Sequence, residues 1–212
     1  MENHLRKLIT FEGIDFCGKS TQIKLLERKL FDFGQKVIMF RDPGGNKISE
    51  QIRDILLDKE NTEMAQETEV LLYEAARAQM VAEKIIPLLD DSNFVLLDRF
   101  YDSTTAYQGY GRGIDLQTID TLNSFASQKL KPAITFFLDV SLETFNDRQR
   151  RSRFGQDRLE SAGIEFFQKV KNGFYEIAKK NPERIKIISS DREITDVADE
   201  IWETIKNIFI LA

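Results

Sequence analysis

The sequence predicts an α/β protein in three layers, a five-stranded parallel sheet with helices on both faces. Three observations carry this. Five short runs are apolar throughout rather than alternating, as strands buried on both faces must be. Longer segments with apolar residues at helical spacing separate them, the order that builds parallel sheets through helical crossovers. No internal repeat or low-complexity tract interrupts the pattern. The 212 residues are 42% hydrophobic and include sixteen phenylalanines, enough for one sizeable core, so a single domain spanning residues 1–212 is expected.

The elements follow in order. Leu8-Ile9-Thr10-Phe11 is the first buried strand. Residues 20–33 carry Ile23, Leu26, Leu30 and Phe33 on one helical face, with Gly34 as the stop. Val37-Ile38-Met39-Phe40 is the second strand and ends in Asp42-Pro43-Gly44-Gly45, a run with turn chemistry. Residues 48–58 and 65–89 read as helices. Phe94-Val95-Leu96-Leu97, Ala133–Leu138 and Ile185–Ile188 are the third, fourth and fifth strands. From residue 194 a last helix carries Val197, Ala198, Ile201, Trp202, Ile205, Ile208 and Phe209 on one face. The prolines at 43, 87, 132 and 182 are expected at element ends. In such sheets ligands lie beyond the carboxyl ends of the strands, so the turns that follow the strands are where chemistry is expected.

Composition narrows the function classes. Thirty Lys and Arg against thirty-five Asp and Glu give a net charge of −5. That argues against a nucleic-acid or anionic-membrane binder, which needs a broad basic face. A single cysteine, Cys17, leaves no intramolecular disulfide or multi-cysteine metal site. The single histidine, His4, sits near the N-terminus, where a surface position is expected. It offers neither histidine zinc chemistry nor a workable Ser-His-Asp triad. No run of about 18 apolar residues predicts a membrane span, and MENHLRKLITFEG lacks the apolar core of a signal peptide. A cytoplasmic protein is expected.

The strongest motif is Gly13-Ile14-Asp15-Phe16-Cys17-Gly18-Lys19-Ser20. It matches G-x-x-x-x-G-K-[ST] and lies between a strand and an amphipathic helix, the context that makes it a phosphate-binding loop (P-loop). Its glycines let backbone N–H groups turn inward, and the helix N-terminus adds positive potential. Lys19 would reach the β- and γ-phosphates, and the Ser20 hydroxyl would ligate Mg²⁺. The fold expected is therefore a P-loop NTPase. Cys17 reads as a small loop residue. Phe94-Val95-Leu96-Leu97-Asp98 has the form of a Walker B strand, which sets Asp98 beside the metal, directly or through water. Arg99 follows at the same strand end, placed to hold a phosphate.

Phe40-Arg41-Asp42-Pro43-Gly44-Gly45 reads either as a plain turn or as a phosphate-facing segment, depending on whether Arg41 faces the cleft. Its D-x-x-G raises a GTPase, but the one Asn-Lys pair, Asn46-Lys47, has neither the sequence nor the spacing of a guanine reader. Residues 148–158 hold five arginines and one aspartate. A charge run is commonly a solvated face, yet arginine without lysine favours bidentate phosphate contacts. A closing lid over about 148–160 would bring such charge to a moving phosphoryl group. Phe16 makes this more pressing, because Lys19 is the only basic residue of the loop. Ser103, Thr104, Tyr107 and Gln108 stand in a segment that reads equally as a helix start with a packed tyrosine and as one wall of a site. Tyr73 and Arg77 share a helix face four residues apart.

These residues together resemble the thymidylate kinase family, of the P-loop nucleoside monophosphate kinases. The resemblance rests on Phe11-Glu12-Gly13-Ile14-Asp15, Gly18-Lys19-Ser20-Thr21-Gln22, Arg41-Asp42-Pro43-Gly44-Gly45 and Leu72-Tyr73-Glu74-Ala75-Ala76-Arg77. It continues through Asp98-Arg99-Phe100, Ser103-Thr104 and Ala106-Tyr107-Gln108-Gly109 to Asp157-Arg158-Leu159-Glu160. It implies that ATP with Mg²⁺ binds over Gly13 to Thr21 and passes its γ-phosphate to dTMP. Asp15 would touch the sugar 3′-OH and the metal region, and Arg41 and Arg99 would hold the acceptor phosphate. Tyr73 would stack on thymine, Arg77 would bond its exocyclic oxygen, Thr104 would meet the N3 side, and Tyr107 would lie where a 2′-OH would clash. Ser103 and Gln108 would complete the substrate site. The lid resembles the bacterial class, with Arg153 the first choice and Arg148 the second for the catalytic arginine beside Lys19, Asp15 and Arg99. Asp42 stands where the family more usually has Glu, and the lid is one residue longer than the forms compared. A homodimer packed through helices is implied as well. A related P-loop kinase on another nucleotide or a deoxynucleoside, and a non-catalytic nucleotide-binding module, are the alternatives.

Overall fold

In a computed structural model the described residues are 7–91, 93–151 and 163–211. The strands are β1 (Leu8–Glu12), β2 (Val37–Arg41), β3 (Phe94–Asp98), β4 (Ile134–Asp139) and β5 (Ile185–Ser189). They form one sheet in the order β2-β3-β1-β4-β5, and every neighbouring pair is parallel. β1 is central. Phe11 lies opposite Asp98 of β3 on one side and Phe136 of β4 on the other. The chain runs from β1 outward to β2, back to β3, and then crosses to β4 on the far side of β1. That reversal opens a crevice at the carboxyl end of β1, where the loop 13–18 emerges.

The helices are α1 (Lys19–Asp32), α2 (Lys47–Leu57), α3 (Gln66–Met80), α4 (Ile86–Asp90), α5 (Tyr101–Thr104), α6 (Leu116–Ala126), α7 (Leu142–Arg151), α8 (Ile164–Lys180) and α9 (Ile194–Phe209). Successive strand residues point to opposite faces, and both faces are covered. Ile9, Phe11, Leu96 and Phe136 pack with Leu26 and Leu30 of α1, Val170 of α8 and Ile201 and Ile205 of α9. Leu8, Val95 and Leu97 pack on the opposite side with Met80, Val81, Ile85 and Phe100. The last helix buries Val197, Ala198, Ile201, Trp202 and Ile205 as its spacing predicts, with Ile208 and Phe209 partly buried beside them.

The region expected as one helix over 65–89 is helical throughout but changes winding. A π-helical segment, Val81–Ile85, joins α3 to α4, and Pro87 sits in the first turn of α4. Proline offers no N–H and its ring crowds the carbonyl four residues back, so a wider turn absorbs it inside the run. Pro87 therefore lies within a helical stretch and not at its end. A second π-helical segment, Thr105–Gly111, continues α5. Among the described residues no helix is long and apolar enough to cross a membrane.

Candidate active site

The loop after β1 has the conformation its glycines permit. Gly13 has φ +137°, and a Cβ there would lie 2.6 Å from the Leu138 carbonyl oxygen, so no larger residue fits. The last loop glycine, Gly18, caps α1 in the left-handed region, leaving the first N–H groups of that helix without intrahelical carbonyl partners. Lys19 is buried, and its Nζ donates to the carbonyls of Gly13 at 3.2 Å and Ile14 at 3.0 Å. The ammonium thus bridges the loop from beneath. Phe16 also sits at positive φ and leans its ring on Phe145 of α7.

Ser20 Oγ donates to Asp98 Oδ2 at 2.8 Å. This pairing sets the hydroxyl of α1 beside the carboxylate that ends β3, as the two motifs predict. Two adjacent oxygens suit a magnesium ion, which binds few protein ligands and completes its shell with water and substrate phosphates. Among the described residues no cluster of three His, Cys, Asp or Glu offers an all-protein cage.

Arg99 is the hub. It lies at positive φ, an unusual conformation for a side chain of its size. Its Nη1 donates to the Gly13 carbonyl at 2.8 Å and to Ser103 Oγ at 3.2 Å, and its Nη2 donates to Asp15 Oδ1 at 2.5 Å. The guanidinium lies 5.1 Å from the Tyr107 ring centre, and the Tyr107 hydroxyl reaches Asp15 Oδ2 at 3.3 Å. Burial alone would raise the Asp15 carboxyl. The charges of Arg99 and Lys19, with the hydrogen bonds from Arg99 and Tyr107, outweigh it and hold the group below its ordinary value.

Beneath Arg99, Glu12 is fully buried. It accepts the Phe100 N–H at 2.8 Å and the Ser103 hydroxyl at 2.5 Å. Burial, reinforced by the charge of Asp102, pushes its carboxyl up to about 8 against those bonds and Arg99.

Two cavities meet at this hub. The larger, of about 610 Å³, is lined by Asp15 to Gln22, Arg41, Asp98, Arg148 and Arg192. The smaller, of about 90 Å³, is lined by Pro43, Leu57, Tyr73, Arg77, Ser103, Thr104, Tyr107 and Gln108. Asp15, Asp42, Arg53 and Arg99 line both. Tyr73 and Arg77 thus share a cavity, and so do Ser103, Thr104, Tyr107 and Gln108, in a segment that is at once a helix start with Tyr107 packed on Phe166 and Phe174 and part of the cavity wall. Arg41 faces the larger cavity. It pairs with Glu50 at 2.8 Å, and Glu50 also accepts the Gly45 N–H at 2.9 Å. Arg148 donates to the carbonyls of Phe16 at 2.8 Å and Ser190 at 3.2 Å, bracing the loop from α7.

Arg77 is buried and held from four sides. It donates to Asp42 at 2.6 Å, Glu74 at 2.5 Å, Asn123 at 3.1 Å and Thr104 at 2.8 Å. A guanidinium has five N–H donors, so these bonds leave one, on Nη2. Burial raises the carboxyls of Asp42 and Glu74, opposed by the charge of Arg77. Asp42, one methylene shorter than glutamate, still reaches the guanidinium.

Some residues of the cleft carry no sequence signal. Arg53 lines both cavities from α2 and donates to the Pro43 carbonyl at 3.1 Å. Burial and the neighbouring charge of Arg41 lower its hold on its proton. Behind the wall of the smaller cavity, Glu69 of α3 takes Gln108 and Arg112. Arg153, residues 157–160 and His4 lie outside the described residues.

The phosphate loop, the Ser20–Asp98 pair and the five-stranded parallel sheet define a P-loop nucleotide-binding protein. The sequence profile described as thymidylate kinase matches residues 11–201. A thymidylate kinase of Prosthecochloris aestuarii is 46% identical over 205 residues, covering 93% of this chain and 92% of the relative. One from Thermoanaerobacter sp. (strain X514) is 42% identical over 200 residues, covering 94% and 97%. The crystal structure of thymidylate kinase from Ehrlichia chaffeensis superposes with a TM-score of 0.76 at 36% identity, covering 94% of this chain and 97% of that one. The chain belongs to the thymidylate kinase family.

Proposed function

We propose that the chain performs its family's reaction, ATP-dependent phosphorylation of dTMP to dTDP, with the donor in the larger cavity and the acceptor in the smaller. One observation carries the assignment of the two sites: the cavities share Arg99, Arg53, Asp15 and Asp42, so two anionic ligands would meet at a pair of arginines.

The loop and Lys19 would hold the donor phosphates. Arg99, Arg41 and Arg53 would hold the acceptor phosphate in line, which is most of what phosphoryl transfer asks of a protein. Asp15, kept ionised by Arg99, would orient that guanidinium and meet the sugar. Tyr73 would stack on the base, and the remaining N–H of Arg77 would donate to its exocyclic oxygen. Ser20 and Asp98 would hold Mg²⁺, which when bound neutralises charge between the phosphates. Arg148 would brace the loop at the base of the lid, with Arg153 the candidate for the transferring phosphate.

Partners and place follow the same reading. Phe125 of α6 is 82% exposed, and Ile48 and Ile55 of α2 and Leu71 of α3 are also exposed. α2 packs on α3 and α3 on α6, so these apolar side chains decorate one helical layer, which a second copy of the chain would cover in a homodimer. The chain is read as a cytoplasmic, single-domain enzyme with no nucleic-acid partner.

A coupled ADP-release assay across dTMP, dUMP, dCMP, dGMP and thymidine tests the reading. The highest kcat/KM is expected on dTMP, and Lys19→Ala should lose activity by orders of magnitude while keeping the fold. A best substrate other than dTMP refutes it.

A further inference from the structure

The acceptor cavity contains an amide whose orientation is set from outside it. Gln108 is buried in the wall of the cavity, and its Nε2 donates to Glu69 Oε1 at 2.8 Å. Glu69, on α3, is itself buried and does not line that cavity. Arg112 closes on the same carboxylate, Nε to Oε1 at 3.3 Å and Nη2 to Oε2 at 3.2 Å. An ionised carboxylate only accepts, and a glutamine amide has one accepting and one donating end. Gln108 must therefore give Glu69 its NH₂ group, which leaves its carbonyl Oε1 for the cavity. Arg112 donates to both oxygens of the same carboxyl, so both act as acceptors and the same choice follows.

We propose that Glu69 is a positioning residue for base selection: by fixing the amide of Gln108, it makes the cavity present a carbonyl acceptor to the Watson–Crick edge of the bound base. This rests on the smaller cavity being the acceptor site. Thymine and uracil carry an N3–H donor that such an oxygen accepts. Cytosine presents a bare N3 lone pair, which the oxygen repels, and would need the amide turned over. Thr104 offers no equivalent switch. Its hydroxyl accepts from Arg77 at 2.8 Å, so it is tied to the charged cluster behind it.

The test compares kcat/KM for dTMP, dUMP and dCMP in the full-length wild type and in Glu69→Gln. A glutamine at 69 can either accept or donate, so Gln108 gains the freedom to turn. The dTMP-to-dCMP ratio should fall by about tenfold, the scale of one mispaired buried polar group, and the dTMP-to-dUMP ratio should stay unchanged. A dTMP-to-dCMP ratio equal to wild type, with or without a lowered melting temperature, overturns the proposal, since a purely structural Glu69 would affect all three substrates alike. Gln108→Leu provides the same readout if Glu69→Gln does not fold: it should lower dTMP and dUMP turnover while sparing dCMP, and an equal loss on all three overturns the proposal. Tyr73→Ala separates the underlying reading. If it leaves the KM for dTMP unchanged, the cavity is not the acceptor site and both conclusions fall. If KM rises while Glu69→Gln keeps the wild-type ratio, only the role of Glu69 falls.

Discussion

Replacing Arg99 by lysine keeps the charge and removes the fork. The guanidinium spans three acceptors at once, Gly13 O, Ser103 Oγ and Asp15 Oδ1, and a single ammonium nitrogen cannot reach all three. Lysine would keep a contact with Asp15 and lose those to the loop and to Ser103. Hydrogen bonds to charged groups contribute about 1.5–3 kcal/mol each. The Arg99 and Asp15 side chains are 18% and 27% exposed, so solvent screening places the loss near the lower end. Two such contacts give about 3 kcal/mol, or roughly a hundredfold in kcat/KM for dTMP. Initial rates with dTMP varied at saturating ATP measure this directly. The KM for ATP should change little, since the proposed donor site lies on the loop and Lys19. A lysine variant with near wild-type kcat/KM for dTMP would refute the role given to the fork.

Glu12 gives a pH prediction with a definite sign. Its folded carboxyl titrates at about 8 against an ordinary value of 4.5. Between those limits the unfolded chain has released a proton that the folded chain keeps, so stability falls as pH rises, by up to about 1.4 kcal/mol per pH unit. Glu12→Gln should remove that slope, and urea unfolding at pH 5.5 and 8 measures it; parallel pH dependences in the two proteins would contradict the buried, protonated state. Tyr107→Phe keeps the ring packed against Phe166 and Phe174 and removes only the hydroxyl contact to Asp15. It should therefore leave discrimination between dTMP and its ribonucleotide nearly intact, whereas Tyr107→Ala should relax it; equal ratios for wild type and Tyr107→Ala would count against the ring as the barrier. Phe125→Lys places a charge on the exposed helical layer and should shift a dimer to monomer in sedimentation, an outcome that an unchanged dimer would contradict.

The sequence was most informative where the backbone itself does the work. The phosphate loop needs glycine at 13 because a Cβ would strike the Leu138 carbonyl, and the β3 end needs Asp98 because Ser20 sits beside it. Each residue belongs to a motif of fixed local spacing, G-x-x-x-x-G-K-[ST] or four apolar residues and an aspartate, so local pattern reveals it although its partner, Leu138 for Gly13 and Ser20 for Asp98, is remote in sequence. The strands are legible in their composition: β1, β3 and β4 are apolar runs buried along nearly all their length, and the edge strands β2 and β5, only partly buried, still carry runs of β-branched and apolar residues. What stayed hidden depends on contacts between distant segments. Arg77 reads as a helix-face residue four after Tyr73, yet its state is set by Asp42 and Asn123, 35 and 46 positions away. Glu69 and Gln108 lie 39 apart, and neither belongs to a pattern that requires the other. Arg53 has a helical neighbourhood with no phosphate motif. The π-helical turn before Pro87 has no sequence signal, because proline ordinarily ends a helix, whereas here the packing of Met80, Val81 and Ile85 accompanies a helix that continues through it. The −5 net charge also acquires a location: Lys19, Arg41, Arg53, Arg99 and Arg148 face the cleft, so a chain acidic in total can still gather phosphates.

The most direct measurement is a crystal structure of the chain with dTMP and a non-hydrolysable ATP analogue. The analogue's phosphates are expected on the loop at Gly18–Ser20. Thymine is expected against Tyr73, with Arg77 and Gln108 at its edge, and the two phosphate ends facing each other across Arg99. Thymidylate bound with its base away from Tyr73 and Arg77, or its phosphate out of reach of Arg99, would contradict this arrangement.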